Sequence, residues 1–333
     1  MAMKLPTIRD YISAIENSKT VKVAELQGGC PVSKNGNLLR YSGGFCVVFP
    51  YNANCKKYAV RCWHASLSQA KDRVRLIAED LNKTKLPYFV NFKYVDNAIN
   101  TPFGPQPIVL MDWVDAKPIK EYIELNLGES LKLKELAKNF LEMVVTLHAN
   151  NISHGDLQHG NILVKPGGDL VLVDYDSMYV PTLNGWTDEI KGLPGYQHPN
   201  RTKNKYLSPK IDYFSELVIY LSIIGLSHNP QLWYKTKMAD SDTMLFSEND
   251  ILSKGSNPIF AELKKNQELQ PLVNKLIDFI GCQTIDELLP LEEVVKSPAD
   301  IISEKWRNYT PPTPIQPKRE LTSEEINTVT SKW

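Results

Sequence analysis

The chain has 333 residues, enough for one or two domains, and its 38 basic and 38 acidic residues cancel to a formal net charge of zero. This balance gives no electrostatic reason to expect a nucleic acid or a membrane surface as a partner. The five cysteines lack the paired short spacings of a zinc site or a disulfide framework, and the N-terminus has no apolar signal segment. We therefore expect a cytoplasmic protein.

A capping-box pattern marks the first predicted helix. Thr7 and Asp10 are spaced as an N-cap residue and its partner, and the helix is predicted to continue through Glu16. Residues 1–18 are interpreted as a helical extension that precedes the main domain.

Two adjacent glycines, Gly43 and Gly44, precede an apolar run that contains Val48. Adjacent glycines permit a tight turn in which backbone amides approach an anion closely. A plain hairpin turn between two strands explains the same pair nearly as well.

A strand and a helix are predicted next. Residues 58–63 have the composition of a strand. Residues 66–82 are predicted to be helical, because Ser66 and Gln69 have capping-box spacing and an apolar stripe follows at helical intervals: Ala70, Val74, Ile77, Ala78 and Leu81. Glu79 lies on this helix, where solvated glutamates are the norm.

An apolar strand and a second long helix follow. Residues 108–114 are predicted to form a strand that continues into a polar connector, and a buried strand end alone would explain the pattern. Residues 131–149 are predicted to be helical because apolar residues recur at helical spacing: Leu133, Leu136, Ala137, Phe140, Val144 and Leu147.

The most informative part of the sequence places two acids and an amide in one short window. Residues 162–164 and 170–173 are predicted to form short strands joined by a turn that contains proline and glycine. Asn161 and Asp174 then lie at the outer ends of a hairpin, and closing the hairpin brings both toward Asp156. Oxygen ligands that converge in this way suit Mg²⁺.

This window resembles the catalytic loop and metal-binding motif of the protein kinase superfamily. The family pattern H-R-D-L-x-x-x-N sets its aspartate and asparagine five positions apart, as Asp156 and Asn161 are. The family's metal-binding aspartate follows a hairpin, as Asp174 does. The resemblance implies an α+β, bilobal fold with a small β-rich N-lobe and a larger, mainly helical C-lobe.

The resemblance also sets the expected domain boundaries. The N-lobe is placed at residues 19–112 and the C-lobe at residues 113–306. Residues 307–333 begin with a proline-rich stretch and are interpreted as an extended tail rather than packed structure.

Roles for individual residues follow from the family. Asp156 would orient or deprotonate the phosphate acceptor, while Asn161 and Asp174 would hold Mg²⁺ on the phosphates of ATP. Arg61 stands where the family carries its phosphate-pairing lysine, and Glu79 stands about where the family carries the helix-borne glutamate partner. An ion pair between Arg61 and Glu79 is therefore expected.

A nucleotide pocket is implied in the same way. Backbone groups of the connector would bind the adenine, so Asp112 and Val114 would contribute main-chain atoms, and Met111 would form the rear wall. The nucleotide-binding residues expected together are Gly43, Gly44, Val48, Ala59, Arg61, Met111, Asp112, Val114 and Leu163.

Residues 192–200 resemble the end of the family's activation segment, with Asn200 in place of the glutamate of A-P-E. Asp212 is predicted to open a helix through Leu226 that is apolar almost all round, as a helix buried at the centre of a lobe is. In the family, the matching aspartate braces the catalytic loop. The uncharged run of this helix is far shorter than the roughly 18 residues of a membrane span.

Several positions depart from the family pattern. Arg61 replaces a lysine, and the two are not interchangeable at a crowded phosphate. Gly155 replaces an arginine that pairs with a phosphorylated activation segment, so switching by that route is not expected. Tyr175 and Asp176 replace Phe and Gly, and Asp176 would support a second ion or face solvent. The strings A-V-R-C and H-G-D-L-Q-H-G-N are similar to those of bacterial kinase-like domains, which favours a pocket reshaped around arginine.

Three functions remain open. The first is ATP- and Mg²⁺-dependent transfer of the γ-phosphate to serine or threonine hydroxyls of an unidentified protein. The second is a pseudokinase scaffold that binds nucleotide or a protein partner without catalysis. Arg61 favours it, and so do residues 41–48, in which only Gly43, Phe45 and Val48 match the family's glycine-rich loop, G-x-G-x-F-G-x-V. The third is a small-molecule kinase, because H-G-D-L is also similar to aminoglycoside and choline phosphotransferases. Residues 195–199 and Asp212 argue against that branch.

Overall fold

The computed structural model describes residues 5–65 and 69–295. These residues form a small lobe built on an antiparallel sheet and a larger, mainly helical lobe, which confirms the predicted α+β, bilobal fold. The predicted tail at 307–333 and the last residues of the predicted C-lobe lie outside the described residues.

The N-lobe is built on a twisted antiparallel sheet. Its described strands are β1 (Cys30–Pro31), β2 (Ser33–Lys34), β3 (Asn37–Leu38), β4 (Tyr41–Ser42), β5 (Cys46–Ala53), β6 (Lys56–Trp63), β7 (Phe92–Thr101) and β8 (Gly104–Asp112). Among the described residues, six strands form one sheet in the order β1, β5, β6, β8, β7, with β4 also paired to β5, while β2 and β3 form a separate hairpin. The strand predicted at 58–63 is confirmed as part of β6. The strand predicted at 108–114 is confirmed as part of β8, which ends at Asp112, two residues earlier than predicted.

The alternation of side chains along β6 gives the sheet two different faces. Tyr58, Val60 and Cys62 pack into an apolar cluster on the outer face. Ala59 and Trp63 face the other way, toward the core that continues into the C-lobe. Because successive side chains of a strand point to opposite faces, Arg61 is placed on the same side as Ala59, which is the side of the C-lobe.

Helix α1 (Ile8–Ile15) covers the outer face of this sheet. Its capping box is formed as predicted, with the Thr7 hydroxyl accepting from the Asp10 N–H and the Asp10 carboxylate accepting from the Thr7 N–H at 2.8 Å. Tyr11 is buried, and its hydroxyl donates to the backbone oxygen of Trp63 at 2.9 Å. The helix therefore shares the apolar core of the N-lobe, and the domain boundary at residue 18 stays a prediction.

Helix α2 (Ala70–Thr84) lies between the sheet and the C-lobe and starts later than predicted. Gln69 has a left-handed backbone with φ 52°, outside the right-handed helical region, and its side chain forms no capping hydrogen bond, so the helix begins at Ala70. Ser66, the other half of the predicted capping box, lies outside the described residues. Val74, Ile77 and Leu81 of the predicted stripe are buried.

The C-lobe contains most of the helices. Its described strands and helices are β9 (Lys117–Pro118), α3 (Ile119–Leu125), α4 (Ser130–Ala149), β10 (Ile162–Val164), β11 (Leu170–Leu172), α5 (Tyr213–His228), α6 (Gln231–Lys235), α7 (Glu248–Leu252), α8 (Pro258–Lys264), α9 (Gln270–Gly281) and α10 (Leu291–Val294). The helix predicted at 131–149 is confirmed as α4. The helix that Asp212 opens is confirmed as α5.

Helices α4 and α5 pack together at the centre of the C-lobe. Almost every side of α5 is buried, which agrees with its continuous apolar sequence. The β10–β11 hairpin lies next to α4, with Ile162 opposite Leu172 and Val164 opposite Leu170. The packed helices thus hold a short hairpin whose ends face the N-lobe.

Residues 5–65 and 69–295 contain all the helices that the structure describes. None of them combines the length and the apolar composition that a membrane-spanning helix needs.

Candidate active site

A cavity of about 990 Å³ lies between the two lobes. Every site residue predicted from the sequence lines this cavity with the exception of Glu79. These residues are Gly43, Gly44, Val48, Ala59, Arg61, Met111, Asp112, Val114, Asp156, Asn161, Leu163 and Asp174. Residues that are up to 131 positions apart along the chain are therefore brought to one cleft, and their chemical roles stay predictions.

The loop before β10 holds Asp156 and Asn161 together. The amide nitrogen of Asn161 donates to the Asp156 carboxylate at 3.1 Å and to the Asp156 backbone oxygen at 2.8 Å. The second carboxylate oxygen of Asp156 accepts the backbone N–H of Leu193 at 3.0 Å. The carboxylate is thus oriented from two sides at the floor of the cleft.

The surroundings of Asp156 shift its acidity toward the physiological range. Burial, and secondly the negative charge of Asp174, raise the pKa of Asp156 from its ordinary 3.8 to about 6. The hydrogen bonds from Leu193 and Asn161 oppose this rise. A general base is most effective when its pKa lies near the working pH, so the site suits proton transfer at neutral pH.

Asp212, at the start of α5, braces the same loop. Its carboxylate accepts the backbone N–H groups of His154 and Gly155, the latter at 3.0 Å. Gly155 has φ +77°, and a Cβ atom there would lie 2.1 Å from the backbone oxygen of Ser177. Only glycine therefore allows this close approach between the loop and the segment that follows the hairpin.

Asp174 ends the hairpin in a strained backbone conformation. Its φ is +69°, in the left-handed region, and 42% of its side chain is exposed in the cleft. Strained backbone of this kind persists only where the surroundings enforce it, and it is concentrated at functional sites. Tyr175 supplies part of that constraint: its buried hydroxyl donates to the Leu172 oxygen at 2.7 Å and accepts the Val90 N–H at 3.0 Å.

The guanidinium of Arg61 binds two carboxylates in the cleft. Its two terminal nitrogens donate to the two carboxylate oxygens of Asp176 at 2.8 and 2.7 Å, which is a bidentate ion pair. One of them also donates to Asp174 at 2.6 Å, and Nε donates to the sulfur of Cys46 at 3.0 Å. Arg61 is only 5% exposed, so solvent screens these contacts weakly.

The prediction of an ion pair between Arg61 and Glu79 is wrong. Glu79 is exposed on α2 and pairs with Arg75, one turn earlier on the same helix, at 2.8 Å. The face of α2 that is turned toward the C-lobe instead carries Arg73 and Asp80, both buried. Residue spacing suggested the pairing, but the rotation of α2 turns Glu79 to solvent.

The carboxylate and amide groups at the hairpin ends are suitable ligands for magnesium. Asp174 presents an exposed carboxylate, and the amide nitrogen of Asn161 is held by Asp156, so the amide oxygen of Asn161 is the atom it offers to a cation. Oxygen donors of this kind are what Mg²⁺ prefers, and it commonly completes its shell with phosphate oxygens and water. The donor set therefore fits Mg²⁺ held between this chain and a nucleotide.

The upper part of the cavity is apolar and suits a flat base. Val48, Ala59, Met111 and Leu163 line it, and β8 runs directly into the connector after Asp112. On the other side, the Gly43 N–H donates to the Cys46 oxygen at 2.9 Å, which closes a turn between β4 and β5. The glycines therefore form a hairpin turn and also line the cleft.

Residues 42–297, well over half of the chain, match the protein kinase domain. The chain belongs to the protein kinase family. The small and large lobes are therefore kinase N- and C-lobes.

Three relatives show the degree of similarity. The chain is 29% identical over 120 residues to a probable serine/threonine-protein kinase, MARK-C, of Dictyostelium discoideum, covering 35% of this chain and 15% of that protein. It is 21% identical over 211 residues to a probable receptor-like protein kinase of Arabidopsis thaliana, with 58% and 60% covered. It is 28% identical over 112 residues to the serine/threonine-protein kinase pakG of Dictyostelium discoideum, with 32% and 9% covered. The chain thus spans less than two thirds of each relative.

Buried charges hold the activation segment, the residues from Asp174 to Asn200, against the catalytic loop. Arg201 is 1% exposed, forms an ion pair with the buried Asp188, and donates to the Gly155 backbone oxygen at 3.3 Å. Asp188 also binds Lys191 at 2.9 Å. Asn200, which replaces the family glutamate, donates to the Cys282 oxygen at 3.1 Å. An acid within the segment therefore meets a buried arginine beside the catalytic loop.

The sequence analysis misplaced one site residue of this kinase and did not identify two others. Asp176 was expected to support an ion or to face solvent, but it is buried against Arg61. Arg73 and Asp80, which bind the activation segment, were not identified. Their spacing was a usable signal. Arg73 lies four residues before Ile77 and Asp80 three residues after it, and residues three or four apart share one face of a helix, so both charges lie on the face that Ile77 buries.

Proposed function

We propose that this kinase domain transfers the γ-phosphate of ATP, with Mg²⁺, to serine or threonine hydroxyls of a protein. The observation that carries the proposal is the convergence of Asp156, Asn161 and Asp174 at the floor of a cleft of about 990 Å³. The family match and the serine/threonine kinases among its relatives support it. The free cysteines support a place in the cytoplasm.

Asp156 is the residue that would meet the acceptor hydroxyl. Its carboxylate is held by the Leu193 N–H on one oxygen and by Asn161 on the other. Its raised pKa of about 6 leaves it mostly ionised at neutral pH while keeping it a stronger base than an ordinary aspartate. It would therefore orient the hydroxyl and accept its proton as the new bond to phosphorus forms.

The remaining residues would hold the phosphates. Asn161 and Asp174 would bind Mg²⁺, which when present would neutralise charge on the transferred phosphate and the leaving group. Arg61 would bring a fixed positive charge within reach of the same phosphates. Val48, Ala59, Met111 and Leu163 would enclose the adenine, and the backbone of Asp112 and Val114 would bind its edge.

A second candidate function is a scaffold that binds nucleotide or a protein without catalysis. It is favoured by one observation, the contact of 2.6 Å between Arg61 and Asp174. This contact occupies an oxygen of the carboxylate that would bind the metal ion. A scaffold would retain the contact, whereas an enzyme would exchange it for Mg²⁺ when nucleotide binds.

Phosphate transfer tests the proposal directly. The protein is incubated with γ-labelled ATP and Mg²⁺ in the presence of general kinase substrates such as casein, and label on serine and threonine is measured. We expect labelling by the wild type and at least a 10²-fold loss in Asp156→Ala, with ATP affinity almost unchanged because Asp156 faces the acceptor. Equal labelling by the wild type and Asp156→Ala would refute the role of Asp156. If the wild type binds ATP in a Mg²⁺-dependent manner but labels no substrate, the result would favour the scaffold.

A further inference from the structure

The carboxylate of Asp176 holds the guanidinium of Arg61 in the cleft. Asp176, two residues after the metal-site aspartate, binds both terminal nitrogens of the guanidinium at 2.8 and 2.7 Å. This fork fixes the plane of the guanidinium as well as its distance, which a single contact would not do. Asp174 shares one of the same nitrogens.

The burial of this pair makes it obligatory. Arg61 is 5% exposed and Asp176 is 3% exposed. A charge at such depth is strongly destabilising when its partner is removed, because it is left without water and without an opposite charge. Asp176 therefore has no competing solvent interaction, and its carboxylate stays on Arg61.

Helix α2 reaches Arg61 through the backbone of Asp176. Arg73 of α2 donates to the backbone oxygen of Asp176 at 3.3 Å and to that of Thr187 at 3.0 Å. Asp80, two turns further along α2, accepts the N–H and the hydroxyl of Thr182 at 3.1 and 2.8 Å. The helix is thus attached to the activation segment at several points and holds Asp176 in place from outside.

We propose that Asp176 is the positioning residue for the Arg61 cation in phosphate transfer, in place of a glutamate on helix α2. The inference rests on the proposed function. If Mg²⁺ were bound by the Asp174 carboxylate, the Arg61 N–H that Asp174 accepts would be free to donate to a phosphate oxygen. The bidentate contact with Asp176 would keep the guanidinium in the same orientation. Asp176 touches Arg61 rather than the substrate, so it acts through that cation.

The test compares Asp176→Asn with Glu79→Gln in the full chain. Each replacement removes one negative charge and keeps the shape of the side chain. Mg·ATP affinity is measured by titration calorimetry and ATP turnover by phosphate release. We expect Asp176→Asn to lower turnover at least about tenfold, because the guanidinium of Arg61 is no longer held in a fixed orientation. The loss of Mg·ATP affinity should be smaller. Glu79→Gln should change both by less than about twofold, since Glu79 is bound to Arg75 at the surface.

A rescue experiment separates positioning from simple damage. Arg61→Lys shortens the cation and loses the fork, and we expect turnover to fall. Adding Asp176→Glu, which lengthens the acid by one methylene, should restore part of the lost turnover, whereas a merely structural role would give no such rescue. Adding Glu79→Asp to Arg61→Lys is the matched control and should restore nothing.

Unfolding temperatures make the pairing testable without activity. Arg61→Met and Asp176→Leu should each lower the midpoint by several degrees, and the double variant should lie closer to the wild type than either single one. Additive losses, or a greater loss of turnover in Glu79→Gln than in Asp176→Asn, would overturn the proposal. If the unfolding temperatures show that Arg61 and Asp176 are coupled but the wild-type protein does not turn over ATP, the proposed function is overturned. The catalytic purpose of the pair is then overturned with it.

Discussion

Asp156→Asn should make this protein more stable at neutral pH while removing its activity. The native structure holds the Asp156 carboxylate in a partly desolvated position near Asp174, which raises its pKa from 3.8 to about 6. Folding therefore favours the protonated form. The stability that this provides is fully present below about pH 4 and is lost as the pH rises through about 6. Asparagine has nearly the same shape and never carries the charge.

The magnitude follows from the two pKa values. A difference of about two pKa units corresponds to about 3 kcal/mol, of which about 2 kcal/mol develops between pH 4.5 and pH 8. The replacement also breaks the hydrogen bond from the Asn161 amide nitrogen, which costs about 1 kcal/mol at every pH. The bond from the Leu193 N–H is retained. The net gain at pH 8 is then about 2 kcal/mol.

Thermal unfolding of both proteins is measured from pH 4.5 to pH 8, in EDTA and without nucleotide. The difference in midpoint temperature should grow with pH by about 3 °C. Asp169→Asn, in the exposed turn of the β10–β11 hairpin, is the control. Its free energy of unfolding should stay within about 0.5 kcal/mol of that of the wild type. A difference between Asp156→Asn and wild type that does not change with pH would show that burial does not oppose the charge of Asp156.

Two further predictions concern the packing around the catalytic loop. Gly155→Ala should destabilise the fold by about 2 to 5 kcal/mol, because the new residue would have a left-handed backbone and a Cβ 2.1 Å from the Ser177 oxygen. Gly167→Ala, which has open space around it, is the control. Equal urea midpoints for the two variants would contradict the expectation. Asp188→Asn should cost about 3 to 5 kcal/mol in the free energy of unfolding, because it leaves the buried Arg201 without its anionic partner; a loss below 1 kcal/mol in urea unfolding would mean that the pair is not essential.

Local patterns were sufficient for most of the architecture. The β10–β11 hairpin followed from two apolar runs around a proline and glycine turn, and the capping box of α1 followed from the spacing of Thr7 and Asp10. The kinase motifs then ordered the lobes. Each of these features depends on residues that are close in sequence, where periodicity and turn chemistry are strong signals.

The partner of Arg61 could not be obtained in the same way. Glu79 has the spacing of the family glutamate, but spacing along the chain does not fix the rotation of α2 about its axis. That rotation is set by the burial of Arg73 and Asp80 against the activation segment, contacts that span more than a hundred residues of sequence. The sequence showed Asp176 next to the metal site, and only the packed structure shows that it faces Arg61.

The most direct test of the account is the unfolding temperature with saturating ATP, with and without Mg²⁺. Ligand at 100 times its dissociation constant stabilises a protein by about 2.7 kcal/mol, which corresponds to a shift of about 5 °C in a domain of this size class. We predict a rise that requires both ATP and Mg²⁺ and that is lost in Asp174→Ala. An unchanged midpoint, or a rise that Asp174→Ala retains in full, would contradict a magnesium nucleotide site at Asn161 and Asp174.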